Sequence, residues 1–337
     1  MPNIILSVTT YPARIWAVQH MLRSIYAQTM QPSKIVLYLS LEQFPNELSD
    51  VPTELVELVN KEKLDIQFRP DDLGAHKKYI YAFKDYPNDL IITVDEDLIY
   101  PVDMISTLYE SWKKYPKAVH ASRTHLIAYD GNEIIPYHEW PVEVDADYGQ
   151  EQFQVYATTG AGTLYDPSLF KDYLYDMDAI KATCLRDDDM WMKANELISG
   201  IPVVTARRFT ALNYVPNSQT NDMLFVLNTA EAKKQTITKI SDWFDAQTGE
   251  KNVLCNILSH PPVGCCITEL REYLAYFRRQ RDFDLGTILS LRAECEKLCS
   301  RLQDVESQYN TISNSTCWKI TKPVRLVLDY LKRSRRY

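Results

Sequence analysis

The chain has 337 residues, 45% of them apolar and 24% charged, which leaves room for one large domain or a domain with an extension and is ordinary for a globular protein. Its formal net charge of -8 excludes a basic footprint for nucleic acid over the whole molecule. The charge is uneven: residues 318–337 carry seven Lys/Arg against Asp329, so this end is +6 while residues 1–317 sum to -14, and the two parts are expected to do different jobs. Seven cysteines, an odd number with no C-x-x-C pair, read as reduced thiols of a cytoplasmic protein. Met1 leads straight into a strand-like run without a signal-peptide pattern, and no apolar run nears the ~20 residues that cross a bilayer.

In chain order, four apolar, β-branched runs come first: residues 4–9 (IILSVT), 34–40 (KIVLYLS), 64–69 (LDIQFR) and 90–95 (LIITVD). They start about thirty residues apart, the length of a βαβ unit. Residues 13–29 place Val18, Leu22 and Ile25 on one helical face, and 53–61 and 75–85 are shorter helical candidates. The alternation predicts an α/β fold with a mostly parallel sheet buried on both faces. Pro101 suits the first turn of a further helix reaching about residue 115. After Ala118 come short strand-like pieces (118–123, 126–130, 133–137) among loops rich in aromatic and acidic residues. A helix is expected from Asp187 to Gly200, with Gly200 beyond its end, then a last strand at 202–206 leading into 213–221.

From about residue 231 the chain reads as helical. Ile288, Leu291, Cys295, Leu298, Leu302, Val305, Tyr309 and Ile312 keep a 3-4 alternation that fits a short coiled coil, and hence a homodimer, or an amphipathic helix packed on its own domain. In residues 314–337 the apolar Trp318, Ile320, Val324 and Leu331 interleave with the cations, a pattern suited to an anionic membrane surface.

The chemistry concentrates in carboxylates. Val94-Asp95-Glu96-Asp97 ends the fourth strand, and open α/β sheets bind ligands outside the carboxyl ends of their strands. Three acids on one turn repel one another unless a cation sits among them, and oxygen ligands select Mg²⁺ or Mn²⁺. The competing reading is an acidic turn capping the next helix. Asp187, Asp188 and Asp189 sit at a helix start, where the dipole favours acids, although three in a row exceed what capping needs.

These segments together resemble the GT-A-fold glycosyltransferases, family-two-like and of the bacterial surface-polysaccharide type. The resemblance spans roughly residues 3–220 and rests on SVTTYPARI (7–15), DDLGAHKKYIYAF (71–83), VDED (94–97), TTGAGTLYDP (158–167) and LRDDDMW (185–191), in that order. It implies a Rossmann-like GT-A domain over 1–230; beyond it the chain's own pattern gives a helical extension (231–283), the coiled-coil candidate (284–313) and the basic amphipathic tail (314–337). It also implies that Thr9, Tyr11 and Arg14 form a nucleotide-contacting loop, and that Asp71 meets the base or ribose. Lys77 and Lys78 would face the diphosphate, with a solvated helix face as the alternative for at least one of them. Asp97 would ligate the metal directly and Asp95 would face the ribose or a metal-bound water, with Glu96 pointing away, and Gly160 and Gly162 would line a loop close to the sugar. Asp189, with Asp188 second, would be the base of an inverting transfer. His138, Trp140 and Trp191 are candidates for an acceptor pocket. The implied partners are a nucleotide-sugar donor and a saccharide or lipid-linked glycan acceptor, with the protein cytoplasmic and peripheral on the inner face of the membrane.

Two other classes fit parts of this pattern. A metal-dependent nucleotidyltransferase would use the same sheet and acids, but is expected to carry a glycine-rich phosphate loop where this chain has TTYPAR. A non-catalytic carbohydrate-binding or assembly protein would not need both acidic clusters intact.

Overall fold

The computed structural model describes residues 2–61, 63–130, 133–143, 148–219 and 230–260, together with Lys297. The coiled-coil candidate, apart from Lys297, and the basic tail lie outside the described residues, as does most of the second half of 231–283.

Strands β1 (Ile4–Thr9), β2 (Lys34–Ser40), β3 (Asp65–Arg69) and β4 (Leu90–Asp95) pair in parallel in the order β3-β2-β1-β4. The β-branched runs of β1, β2 and β4 are buried on both faces, while β3, at the edge of the sheet, is half-buried. Ile4, Leu6 and Val8 pack with α1 (Val18–Tyr26), α2 (Thr53–Asn60) and α4 (Met104–Lys114), while α3 (Lys77–Asp85) covers the other face of β1, β2 and β4. The α1 stripe Val18, Met21, Leu22 and Ile25 is fully buried, as 3.6-residue periodicity requires.

Beyond β4 the sheet continues through β11 (Ala161–Tyr165), β5 (Val119–Ala121), β12 (Val203–Thr205) and β9 (Glu151–Gln152). β11 runs antiparallel to both β4 and β5, β12 returns parallel to β5, and β9 closes the edge antiparallel. The mostly parallel central sheet flanked by helices is therefore present, with β11 as an inserted reversed strand. Two small antiparallel pairs, β6 (Thr124–Leu126) with β10 (Val155–Ala157) and β7 (Tyr129–Asp130) with β8 (Glu133–Ile134), carry the second half. After α5 (Met177–Thr183), the helices α6 (Asp188–Ser199), α7 (Ala230–Thr248) and α8 (Val253–Ser259) pack on one another. Among the described residues no helix is long and apolar enough to cross a membrane.

The differences from expectation have physical reasons. Residues 158–167 look like a glycine loop, yet Gly162 takes φ +94° at a register shift between Ala161 and Thr163 and the strand runs on past it. Pro101 lies outside α4, whose N-cap is Asp103; its carbonyl instead accepts from Gln28 and Met104. The single run 126–130 splits into pieces of two different small sheets.

Candidate active site

Strand order reverses between β1 and β4, which lead to neighbours on opposite sides, and it is outside the carboxyl ends of strands at such a switch point that open α/β sheets bind ligands. Thr9 and Asp95 stand there in register as the last paired residues. The turn after β4 is pinned from below by the Tyr100 hydroxyl, which accepts from the Asp95 N–H (2.8 Å) and donates to the Gly160 carbonyl. From above, Val215 N–H donates to the Asp97 carbonyl (2.7 Å) and Leu98 bridges to Tyr214.

Arg14 reaches across from the loop after β1 to Asp97 Oδ2 (3.0 Å) and Glu96 Oε1 (3.2 Å), with its guanidinium 5.4 Å from the centre of the Tyr11 ring. Glu96 thus faces the same cation as Asp97 and does not point away. Gln219 donates to the same Asp97 oxygen (2.9 Å). Burial works against charge on Arg14, but Glu96 and Asp97 outweigh it and raise its pKa. One guanidinium does not neutralise three acids. Burial, then Asp95 and Asp97, push Glu96 up to about 8, and burial and Asp95 raise Asp97.

Such a turn suits a hard divalent cation. Among the described residues no three His, Cys, Asp or Glu form a cage for a metal. Ions of the Mg²⁺ type are usually held by one or two carboxylates with substrate phosphates completing the sphere, and Asp97 and Asp95, here paired with Arg14 and Lys78, are the acids that could do so.

The second acidic cluster approaches from α6. Asp187 is its N-cap and accepts from Met190 N–H (3.3 Å), and Gly200 ends it at φ +70°. Thr159, just before β11, donates its N–H to Asp189 Oδ1 (2.7 Å). Its hydroxyl proton is shared between Asp188 Oδ2 (2.6 Å) and Asp189 Oδ1 (2.7 Å). Buried Lys78 joins the two clusters, lying 2.7 Å from Asp95 Oδ1 and 3.0 Å from Asp188 Oδ2. Burial disfavours its charge, yet Asp188, Asp95 and Asp189 outweigh it and hold the ammonium above its ordinary pKa. The two neighbouring acids divide accordingly. Burial would raise Asp188, but Lys78, His76 and Thr159 bring it below the usual carboxylate range. Burial and then Asp188 raise Asp189 above that range.

Other expected residues stand apart from this junction. Lys77 is as buried as Lys78 and pairs with Asp72, so neither lysine lies on a solvated face. Asp71 pairs with Lys181 (3.1 Å). The Thr9 hydroxyl donates to the Tyr38 carbonyl (2.7 Å). Gly160 has a clear steric duty, since a Cβ there would overlap the Asp95 carboxylate. Trp140 and Trp191, expected in an acceptor pocket, are core residues. Trp191 is fully buried against Trp243 and Phe244 and its indole N–H donates to Leu174, while Trp140 packs on Tyr137 and Tyr156 and donates to Ile135. Both indoles sit in apolar surroundings with a satisfied N–H, which is what buries a Trp. His138 is exposed beside Glu139 (3.9 Å).

Thr159, Tyr100, Gln219 and Lys233 have no signal in the sequence. Lys233, from α7, lies 3.1 Å from Asp187 Oδ2 and 3.2 Å from Oδ1.

No family model matches the chain, and no curated protein matches it. Among solved structures it is similar to S. aureus TarS 1-349 in complex with UDP-GlcNAc, at a TM-score of 0.42 and 13% identity over 77% of this chain and 76% of that one. It is similar to the mannosyltransferase PcManGT from Pyrobaculum calidifontis, in complex with GDP-Man and Mn²⁺, at 0.41 and 13% over 81% and 83%. It is also similar to a 4-diphosphocytidyl-2C-methyl-D-erythritol synthase, at 0.39 and 10% over 68% and 99%. These are distant likenesses of fold, and residue roles rest on this chain's own geometry.

Proposed function

We propose that the chain is a glycosyltransferase that moves a single sugar from a nucleotide-sugar donor to a saccharide acceptor, cell-surface or lipid-linked, with inversion and with a divalent metal. The observation that carries this reading is the Lys78 junction, which couples the acids at the sheet's switch point to the acids at the start of α6. The two clusters offer the two things such a transfer needs: a place for a diphosphate leaving group, and a base for the incoming hydroxyl.

Asp97 and Asp95 would hold the Mg²⁺ or Mn²⁺, which would offset the negative charge of the diphosphate. Tyr11 and Arg14 flank the same switch point, where an aromatic face and a guanidinium suit a nucleotide. Asp189 is the proposed base. It keeps partial exposure while Asp187 and Asp188 are buried, and its raised pKa makes it the better proton acceptor of the ladder. It would take the acceptor's hydroxyl proton as that oxygen attacks the anomeric carbon from the face opposite the departing diphosphate. Thr159 orients Asp189 through two contacts to a single oxygen, leaving the other oxygen for the acceptor.

The test is donor hydrolysis: purified protein, a panel of nucleotide sugars, Mn²⁺ or EDTA, and an assay of released nucleotide. Metal-dependent release from one donor, lost in Asp97→Ala, is the expected result. Silence across the panel, combined with no metal-dependent nucleotide binding by calorimetry, would overturn the reading and leave a carbohydrate-binding protein in front. Release of pyrophosphate from a nucleoside triphosphate would mark a nucleotidyltransferase instead.

A further inference from the structure

Three neighbouring carboxylates at the start of α6 are held in three different ways. Asp188 is gripped by Lys78 (3.0 Å). Asp187 is gripped by Lys233, within 3.2 Å of both its oxygens. Among the described residues no cation lies within ion-pair distance of Asp189, which accepts from Thr159 and alone of the three keeps partial exposure. Lys233 is itself enclosed. Its ammonium lies 4.2 Å from the centre of the Tyr137 ring and 5.9 Å from that of Tyr156, so the negative faces of two aromatics help hold it at Asp187.

We propose that Lys233 is a positioning residue for the transfer reaction: by anchoring Asp187 at the N-cap of α6 it fixes that helix's first turn and leaves Asp189 as the one carboxylate turned to the acceptor. This rests on the glycosyltransferase reading of the site. The argument is one of charge and of leverage. Asp187 is buried, and a buried carboxylate stripped of the one cation paired with it among the described residues either takes up a proton or moves toward water. Either change weakens the cap on the Met190 N–H and lets the turn bearing Asp188 and Asp189 shift against Thr159. Lys233 comes from α7, after the last strand of the sheet, so the helical segment beyond the sheet completes the site. The charged and titratable groups facing Asp189 are Asp187 and Asp188 on its own helix, Lys78 from α3, Lys233 from α7, and the phenols of Tyr79, Tyr137, Tyr156 and Tyr165. Lys78 and Lys233 both favour ionised Asp189, so loss of Lys233 moves that acid further up.

The experiment compares wild type, Lys233→Met and Lys233→Arg in metal-dependent donor turnover across pH, with carbon-13 NMR titration of the aspartate carboxyls. For Lys233→Met we expect kcat to fall about tenfold or more with the donor KM within about twofold, and the acid limb of the kcat profile to move up by about half to one pH unit. Lys233→Arg should restore most of kcat. An unmoved limb with wild-type kcat in Lys233→Met overturns the proposal, as does an arginine variant as poor as the methionine one. Should Lys233→Met not fold, Lys233→Gln, which keeps a hydrogen-bond donor at Asp187 but no charge, carries the same measurements. The NMR titration needs no turnover and separates the two readings. A shift of Asp189 without turnover by the wild type sinks the transferase reading alone; turnover by the wild type without a shift sinks the role of Lys233.

Discussion

Gly160 and Asp95 occupy space that only one of them could fill with a side chain. A methyl group on Gly160 would displace the Asp95 carboxylate and with it the 2.7 Å pair to Lys78, while touching no backbone among its nearest neighbours. Gly160→Ala is therefore expected to fold with a small loss of Tm but to lose about a hundredfold in turnover, the scale of a displaced reacting group. Unchanged turnover in a steady-state assay would show that Asp95 need not stay where it is. Asp189 carries a different signature. An acid whose pKa is raised on folding binds its proton more tightly in the native chain, so its contribution to stability is full at low pH and is lost as pH climbs through the raised value. Asp189→Asn should melt higher than wild type at about pH 8, with the gap closing toward about pH 5, and should lose turnover. Equal gaps at both pH values would mean that Asp189 is not held toward neutrality. At this scale the acids were legible and their partners were not. VDED and DDD stand out because like charges crowd in sequence, whereas Thr159 and Lys233 acquire meaning only when the chain brings 159 and 233 to these acids, and Lys78, expected at a diphosphate, proves to bridge Asp95 and Asp188.

Among elements, β1, β2 and β4 are readable almost to the residue because each is a β-branched run buried on both faces, β3 because it keeps their spacing although it is half-buried, and α6 because both its ends carry capping chemistry. β11 is not readable, because Gly160 just before it and Ala161 and Gly162 within it mimic a turn, and its pairing is set by β4 and β5 rather than by its own composition. Trp140 and Trp191 illustrate a related limit. An aromatic next to acidic residues looks like a sugar platform until the packing of Tyr137, Tyr156, Trp243 and Phe244 closes over it. The end of α6 allows a clean check. Gly200 sits at φ +70° with open space around its missing Cβ, so Gly200→Ala meets only backbone strain, about 1–2 kcal/mol. A lower Tm with unaltered kcat is expected; a large loss of kcat would mean that the helix end governs the acids at its start.

The molecule as a whole is acidic, with residues 1–317 at -14, and a nucleotide sugar is an anion. If that is its donor, as proposed, its approach to two clusters of carboxylates would be unfavourable until a cation intervened. Nucleotide binding should therefore be weak in EDTA and strengthen with Mn²⁺, and a thermal shift should need both together. Stabilisation by nucleotide alone would mean that Arg14 and Lys78 suffice.

The reversed strand β11 also bears on how the chain is made. As synthesis proceeds, β1 to β4 can pair once Asp95 has emerged, yet the far edge of β4 stays bare until Ala161–Tyr165 arrive to cover it. An uncovered apolar edge is a template for pairing with another copy. Nascent chains stalled within that interval are expected to clump more than chains long enough to include Tyr165.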